Sequence, residues 1–214
     1  MVISDLGLID FHDALAIQSR IAAEVAAGAA PETLLLLEHP PVYTIGSGGS
    51  AGNIIDPTIA AVRTNRGGDV TWHGPGQLVG YPIVDLGRRR RDLHRYLRFL
   101  EELLIAVAGD FRVEAWRIPW RTGIWTEEGK LGSIGVGVRR WVTMHGFAFN
   151  VAPDLSAFGR INPCGFPDCP VTSLVEEGGG AVPMNAVKAR IADRFGNLLE
   201  ERFPWKDPPE EYGG

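Results

Sequence analysis

The spacing of apolar positions changes several times along the chain, and each change marks an element. Phe11, Ala14, Leu15, Ile17, Ile21, Ala22 and Val25 recur at helical intervals, which predicts a helix over residues 11–27. Asp10 is placed to cap its start and Gly28 to end it. Residues 33–38, Thr-Leu-Leu-Leu-Leu-Glu, form an apolar run too short for a helix and read as a buried strand. His39-Pro40-Pro41 breaks that run, and residues 42–45 resume as strand. A further strand is predicted over residues 78–86, where Pro82 suggests a sheet edge or a bulge. After Asp92, the positions Leu93, Tyr96, Leu97, Leu100, Leu103, Leu104 and Val107 trace an amphipathic helix. Residues 113–118, 123–126, 130–138 and 142–151 read as strands joined by tight turns, the most hairpin-like being Glu127-Glu128-Gly129. One helical turn is expected over residues 154–159, a constrained loop over 162–167 and a last helix over 185–202. No linker or repeat interrupts this order. The expectation is one mixed α/β (α+β) domain, a mixed sheet flanked by helices, over residues 1–203, with a loose tail rich in Pro and Glu over 204–214.

One stretch departs from these periods. Arg66-Gly67-Gly68-Asp69-Val70-Thr71-Trp72-His73-Gly74-Pro75-Gly76-Gln77 holds four glycines around a short β-favouring run. Glycine at that density suits tight turns and close approach to a ligand. The bland alternative is a glycine-rich hairpin with an incidental histidine.

Composition narrows the function mainly by exclusion. With 214 residues and 45% hydrophobic content, the chain can bury a full core. Its net charge of −5 lacks the basic footprint of a nucleic-acid binder. No apolar run approaches the ~20 residues needed to cross a bilayer, and no basic-then-apolar leader opens the sequence. A cytoplasmic protein without nucleic-acid or membrane partners is expected. The loop over residues 46–53 and Gly129-Lys130-Leu131 both lack the pattern of a phosphate-binding loop. Cys164 and Cys169 make no disulfide framework, and the five histidines are scattered singly, so no metal site is expected.

Cys164 is the candidate nucleophile. It lies between Pro163, which stiffens the approach, and Gly165, which leaves space behind the sulfur and could aim backbone N–H groups at an oxyanion. Burial as an inert core residue is the commoner fate of a lone cysteine, and Cys169 is read that way. An active thiol wants a cation or base beside it, and Lys130 and His73 are the candidates. Lys130 opens a glycine-rich apolar run, although a solvated charge after a turn fits it equally well. His145, within Thr143-Met144-His145-Gly146-Phe147-Ala148, reads as a hydrogen-bonded core histidine.

In order and spacing, five segments resemble the lipoate–protein ligase B family of octanoyl-acyl-carrier-protein to protein octanoyltransferases. They are residues 37–46, 66–77, 130–135 and 145–150, and Pro163-Cys164-Gly165 followed by Val171-Thr172-Ser173-Leu174. The resemblance implies the biotin/lipoate ligase fold and no ATP or other cofactor. The acyl group would come on the phosphopantetheine arm of octanoyl-acyl carrier protein. It implies Cys164 as acyl-carrying nucleophile, with Lys130 holding the thiolate and shuttling protons. Acceptors would be lysines on lipoyl domains of dehydrogenase complexes and on the glycine cleavage H protein. The substrate-contacting positions would be Arg66, Gly67, Gly68, Asp69, Val70, Thr71, Trp72, His73, Ser133, Ile134, Gly135, Gly146, Phe147 and Ala148. Trp72, Gly132, Phe149 and Phe166 depart from the commoner family residues and could reshape the pocket. Partners of this kind are acidic, so Arg88-Arg89-Arg90-Arg91, with Arg95 and Arg98, is a candidate docking patch. Other readings stay open: an ATP-dependent lipoate or biotin ligase, a thiol hydrolase using Cys164 with His145 or His73, and a silent carrier-protein-binding module.

Overall fold

The leucine run of residues 34–37 is continuous because both faces of its strand are covered. In the computed structural model of the chain, which describes residues 1–167, 169–178 and 180–206, Leu34 and Leu36 enter one core and Leu35 and Leu37 the other. The elements run β1 (Val2–Leu8), α1 (Phe11–Ala26), β2 (Thr33–Glu38), β3 (Val42–Ile45), β4 (Val62–Arg63), β5 (Val70–His73) and β6 (Gln77–Ile83). There follow α2 (Leu93–Asp110), β7 (Trp116–Ile118), β8 (Arg121–Trp125), β9 (Lys130–Arg139), β10 (Val142–Asn150), α3 (Leu174–Gly178) and α4 (Met184–Arg202). Short 3₁₀ turns cover Ala51–Asn53, Leu155–Arg160 and Pro163–Gly165.

Seven strands form the main sheet in the order β1-β2-β6-β10-β9-β8-β7, and β4-β3-β5 form a small second sheet. α1 packs on one face of the main sheet, over Val79, Tyr81, Met144 and Ala148. α2 and α4 cover the other, where Tyr96, Phe99, Phe195 and Phe203 pack among the leucines. Asp92 caps α2 by accepting from the Arg95 N–H at 2.9 Å. β1 carries no period in the sequence. It is an edge strand with Val2, Ile3 and Leu8 exposed, so burial imposes no pattern on it.

Pro82 is not at an edge, since β6 lies between β2 and β10. Nor is there a bulge: β6 keeps its register with β2 through Pro82, and the Asp85–Val142 bridge keeps the β6–β10 register beyond it, so the ladder is interrupted and not shifted. β10 pairs with β6 only through Phe147 to Asn150. Beyond that, His145 turns to φ +55° and donates its N–H to Gln18 Oε1 of α1 at 2.8 Å instead. Pro82 therefore owes β10 no N–H.

The basic run also needs correcting. Arg88, Arg90 and Arg91 are exposed, but Arg89 is 2% exposed. Its guanidinium donates to the buried Glu32 carboxylate at 2.7–3.0 Å and to Glu200 at 2.6 Å. Trp205 stacks on it at 4.2 Å, and the Lys206 N–H donates to the Arg88 carbonyl at 3.0 Å. The start of the expected loose tail is thus tied down; residues 207–214 lie outside the described residues. Arg89→Ala leaves Glu32 buried without its partner and is expected to cost about 3–5 kcal/mol in urea unfolding. Arg90→Ala, at an exposed site, is expected to stay within about 0.5 kcal/mol.

Candidate active site

The site starts at the first residue of β9. The Thr126 N–H donates to the Gly129 carbonyl at 2.8 Å and closes the β8–β9 turn. The Lys130 N–H then donates to the Pro170 carbonyl at 2.9 Å, and its carbonyl accepts from Thr172 at 3.1 Å. A short parallel bridge thereby lays residues 170–172 along Lys130. A few residues upstream, Cys164 sits in a 3₁₀ turn at φ +58°, a left-handed conformation costing a non-glycine residue about 1–3 kcal/mol. Neighbouring chain over-determines it. The Asn162 N–H donates to Asn53 at 2.7 Å, and the Gly165 N–H to Asn162 at 3.0 Å. Asp69 packs against Gly165 while accepting from Asn53 Nδ2 at 2.7 Å and its neighbour Val70 N at 2.7 Å. The Gly165 amide is therefore engaged, and does not form the oxyanion donor the sequence suggested.

These constraints bring Lys130 Nζ to 2.7 Å from Cys164 Sγ, donating to it. Lys130 is 3% exposed, and its ammonium lies 5.3 Å from the centre of the Trp125 ring. Gly123, at φ +122°, leaves the space its stem occupies: a Cβ there would lie 2.9 Å from Lys130 Cε.

From Cys164 a narrow slot runs between the β9–β10 face, β5, β6 and the start of α1. Arg66, Gly68, Asp69, Val70, Thr71, His73, Ser133, Ile134, Gly135, Gly146, Phe147 and Ala148 line it, as does Cys164. Gly67 and Trp72 do not. The Gly67 N–H is used on the Val136 carbonyl at 2.9 Å, and Trp72 packs edge-on against Phe158 in the core beside the small sheet. Phe11, Val79 and Tyr81 also line the slot. The sequence motifs pass over them, although Val79 and Tyr81 follow the glycine-rich stretch at the two-residue spacing of one strand face.

The polar groups of the slot are held by neutral partners. Arg66, 8% exposed, donates to the Thr44 carbonyl and hydroxyl and to the carbonyls of Gly67 and Asp69. Burial lowers its pKa, yet a guanidinium stays charged at neutral pH. Gln77 Nε2 donates to Asn150 Oδ1 at 2.9 Å, so its Oε1 accepts from His73 Nδ1–H at 2.7 Å. His145 Nε2–H donates to Asn65 Oδ1 at 2.7 Å. Burial, aided by the Arg66 charge, pushes His73 down to about 3 and His145 to about 4, so both are neutral at pH 7. The cation on the sulfur is Lys130, and neither imidazole takes that place.

A lipoyl protein ligase A/B catalytic domain is matched over residues 10–196. The chain belongs to that family. It is 66% identical to an octanoyltransferase of Geotalea uraniireducens over 213 residues, which is 100% of both chains. Among solved structures it resembles a bi-partite lipoate protein ligase from Thermoplasma acidophilum, with a TM-score of 0.67 and 14% identity over 94% of this chain and 82% of that one. A biotin protein ligase from Aquifex aeolicus matches with a TM-score of 0.55 and 12% identity, over 94% of this chain and 70% of that one. At such identities these likenesses establish the fold, which is the one shared by biotin and lipoate ligases.

The depressed histidines carry a stability consequence. Below the ordinary histidine value of about 6.5, the unfolded chain binds protons that the folded family domain refuses. Stability is therefore full above pH ~6.5 and falls towards the folded values of about 4 and about 3. At pH 5 each of the two costs roughly 2 kcal/mol. The urea midpoint is expected to drop between pH 7 and pH 5, less so in His145→Gln; a flat midpoint would contradict the buried-neutral assignment.

Proposed function

We propose that this chain is an octanoyltransferase that moves an octanoyl group from octanoyl-acyl carrier protein to lysine side chains of lipoyl domains, through an acyl-Cys164 thioester. The observation that carries the reading is Lys130 Nζ at 2.7 Å from Cys164 Sγ, beside an apolar slot. The end-to-end likeness to a curated octanoyltransferase supports it. Its acceptors on this reading are dehydrogenase-complex lipoyl domains and the glycine cleavage H protein, met in the cytoplasm. Among the described residues no helix is long and apolar enough to cross a membrane.

The chemistry follows from proton positions. Lys130 takes the thiol proton, and the sulfur attacks the thioester carbonyl carbon, sending its π electrons to oxygen. When they return, the bond to the carrier's sulfur breaks, and that sulfur takes the proton from the Lys130 ammonium. In the second half an acceptor lysine's neutral amine attacks the acyl-cysteine. Lys130 accepts an N–H proton, the amide forms and the Cys164 thiolate leaves beside an ammonium again. Exchange of one thioester for another is close to isoenergetic, and the amide is more stable than either, so no ATP is required. The slot supplies binding energy, about 0.8 kcal/mol for each CH₂ taken from water.

Incubation with octanoyl-carrier protein in the absence of ATP, read by intact mass, tests the proposal. The expected result is one added octanoyl group, absent from Cys164→Ala, and its transfer to an added lipoyl domain. Release as free octanoate would identify a hydrolase. Labelling of the lipoyl domain only with ATP would identify a ligase. Binding of the carrier protein without labelling would leave a docking module.

A further inference from the structure

A cavity of about 630 Å³ lies behind the catalytic slot, under residues of α1 that include Leu15, Ala22 and Ala26. The slot has only about 50 Å³ of open space. Consecutive residues divide the two. On the loop after β4, Asn65 faces the groove and Arg66 the slot; on β10, Met144 faces the groove and His145 the slot. What joins the two sides is the His145 Nε2–H···Oδ1 Asn65 hydrogen bond of 2.7 Å.

That bond is braced from behind. His145 is held at φ +55° by its N–H to Gln18, and the loop is pinned by the Gly67 N–H to Val136. Gly137 fits directly against both partners: a Cβ there would lie 3.1 Å from the Asn65 carbonyl oxygen and 3.3 Å from His145 Cδ2. The thiol sits at the Lys130 end of β9, whereas His145 pairs with Val136 further along. The slot residues of β9 begin at Ser133, three residue steps from Val136, or roughly 10 Å of strand. That is close to the length of an extended eight-carbon chain.

Resting on the octanoyl-transfer reading, we propose that the Asn65–His145 pair is the end wall of the acyl slot and limits the chain length the enzyme accepts. The methyl end of an octanoyl group stops against the imidazole. Opening the pair joins the slot to the groove and gives longer chains an apolar path over α1. Asn65 thus becomes a determinant of specificity without touching the reacting atoms.

The test is single-turnover acyl-enzyme formation from octanoyl-, dodecanoyl- and tetradecanoyl-pantetheine thioesters, read by intact mass. The wild type is expected to favour octanoyl. In Asn65→Ala the octanoyl-to-dodecanoyl rate ratio should fall at least about tenfold, mainly through a faster dodecanoyl reaction. Adding Ala26→Phe, at an exposed helix position on the groove, should refill the path and restore the preference. An unmoved ratio, or an equal loss for every chain length, overturns the proposal, as does a profile that stays broad after refilling. A wild type that accepts no acyl group from any thioester overturns the transfer reading and this one with it.

Discussion

Burying an ammonium is expensive unless something nearby can accept its hydrogen bonds and share its charge. Lys130 is nearly sealed from water, and the sulfur of Cys164 is the acceptor it meets. Much of the local architecture serves that meeting. The bridge from Lys130 to residues 170–172 fixes the distance between strand and loop. The left-handed Cys164 turns the thiol inward, and Gly123 clears the lysine's stem. The contact puts an amine within proton-transfer distance of the sulfur. In the transfer we propose, the same lysine carries the proton through both steps.

The sheet supplies the slot by withholding side chains. Gly135 and Gly146 face each other across β9 and β10. Each admits another part of the chain: the Gly67 carbonyl lies where a Cβ on Gly135 would be 2.8 Å away, and the Gly80 carbonyl 2.4 Å from one on Gly146. Arg66 is thereby brought over the sheet with each of its three nitrogens donating to neutral oxygens, which leaves its charge to act on the slot. The neutral histidines around it hold their ring orientations through Gln77 and Asn65 and do not compete for the thiol.

Much of this was legible in the residues. The leucine run, the glycine-rich stretch and the amphipathic α2 follow from periodicity and capping, because both core faces impose a pattern. For the partner of Cys164 the residues alone offered both Lys130 and His73, and only the family resemblance singled out Lys130, since 34 positions separate it from the thiol and no local rule joins them. Other features were hidden for physical reasons. β1 is an exposed edge. Arg89 reads as a surface charge because its partners, Glu32 and Glu200, are remote in sequence. Trp72 sits within the site's main motif, yet its side chain packs beside the small sheet. Phe11 reaches the slot from α1, which no motif marks as part of the site.

The contact between Lys130 and Cys164 is tested most directly by the alkylation rate of Cys164 at pH 7, resolved by peptide so that Cys169 serves as internal reference. Lys130→Met keeps the bulk and removes the charge. A drop of about tenfold or more at Cys164, with Cys169 little changed, is the predicted result. Equal rates in the two proteins would show that the ammonium does not control the sulfur, and the account would fail.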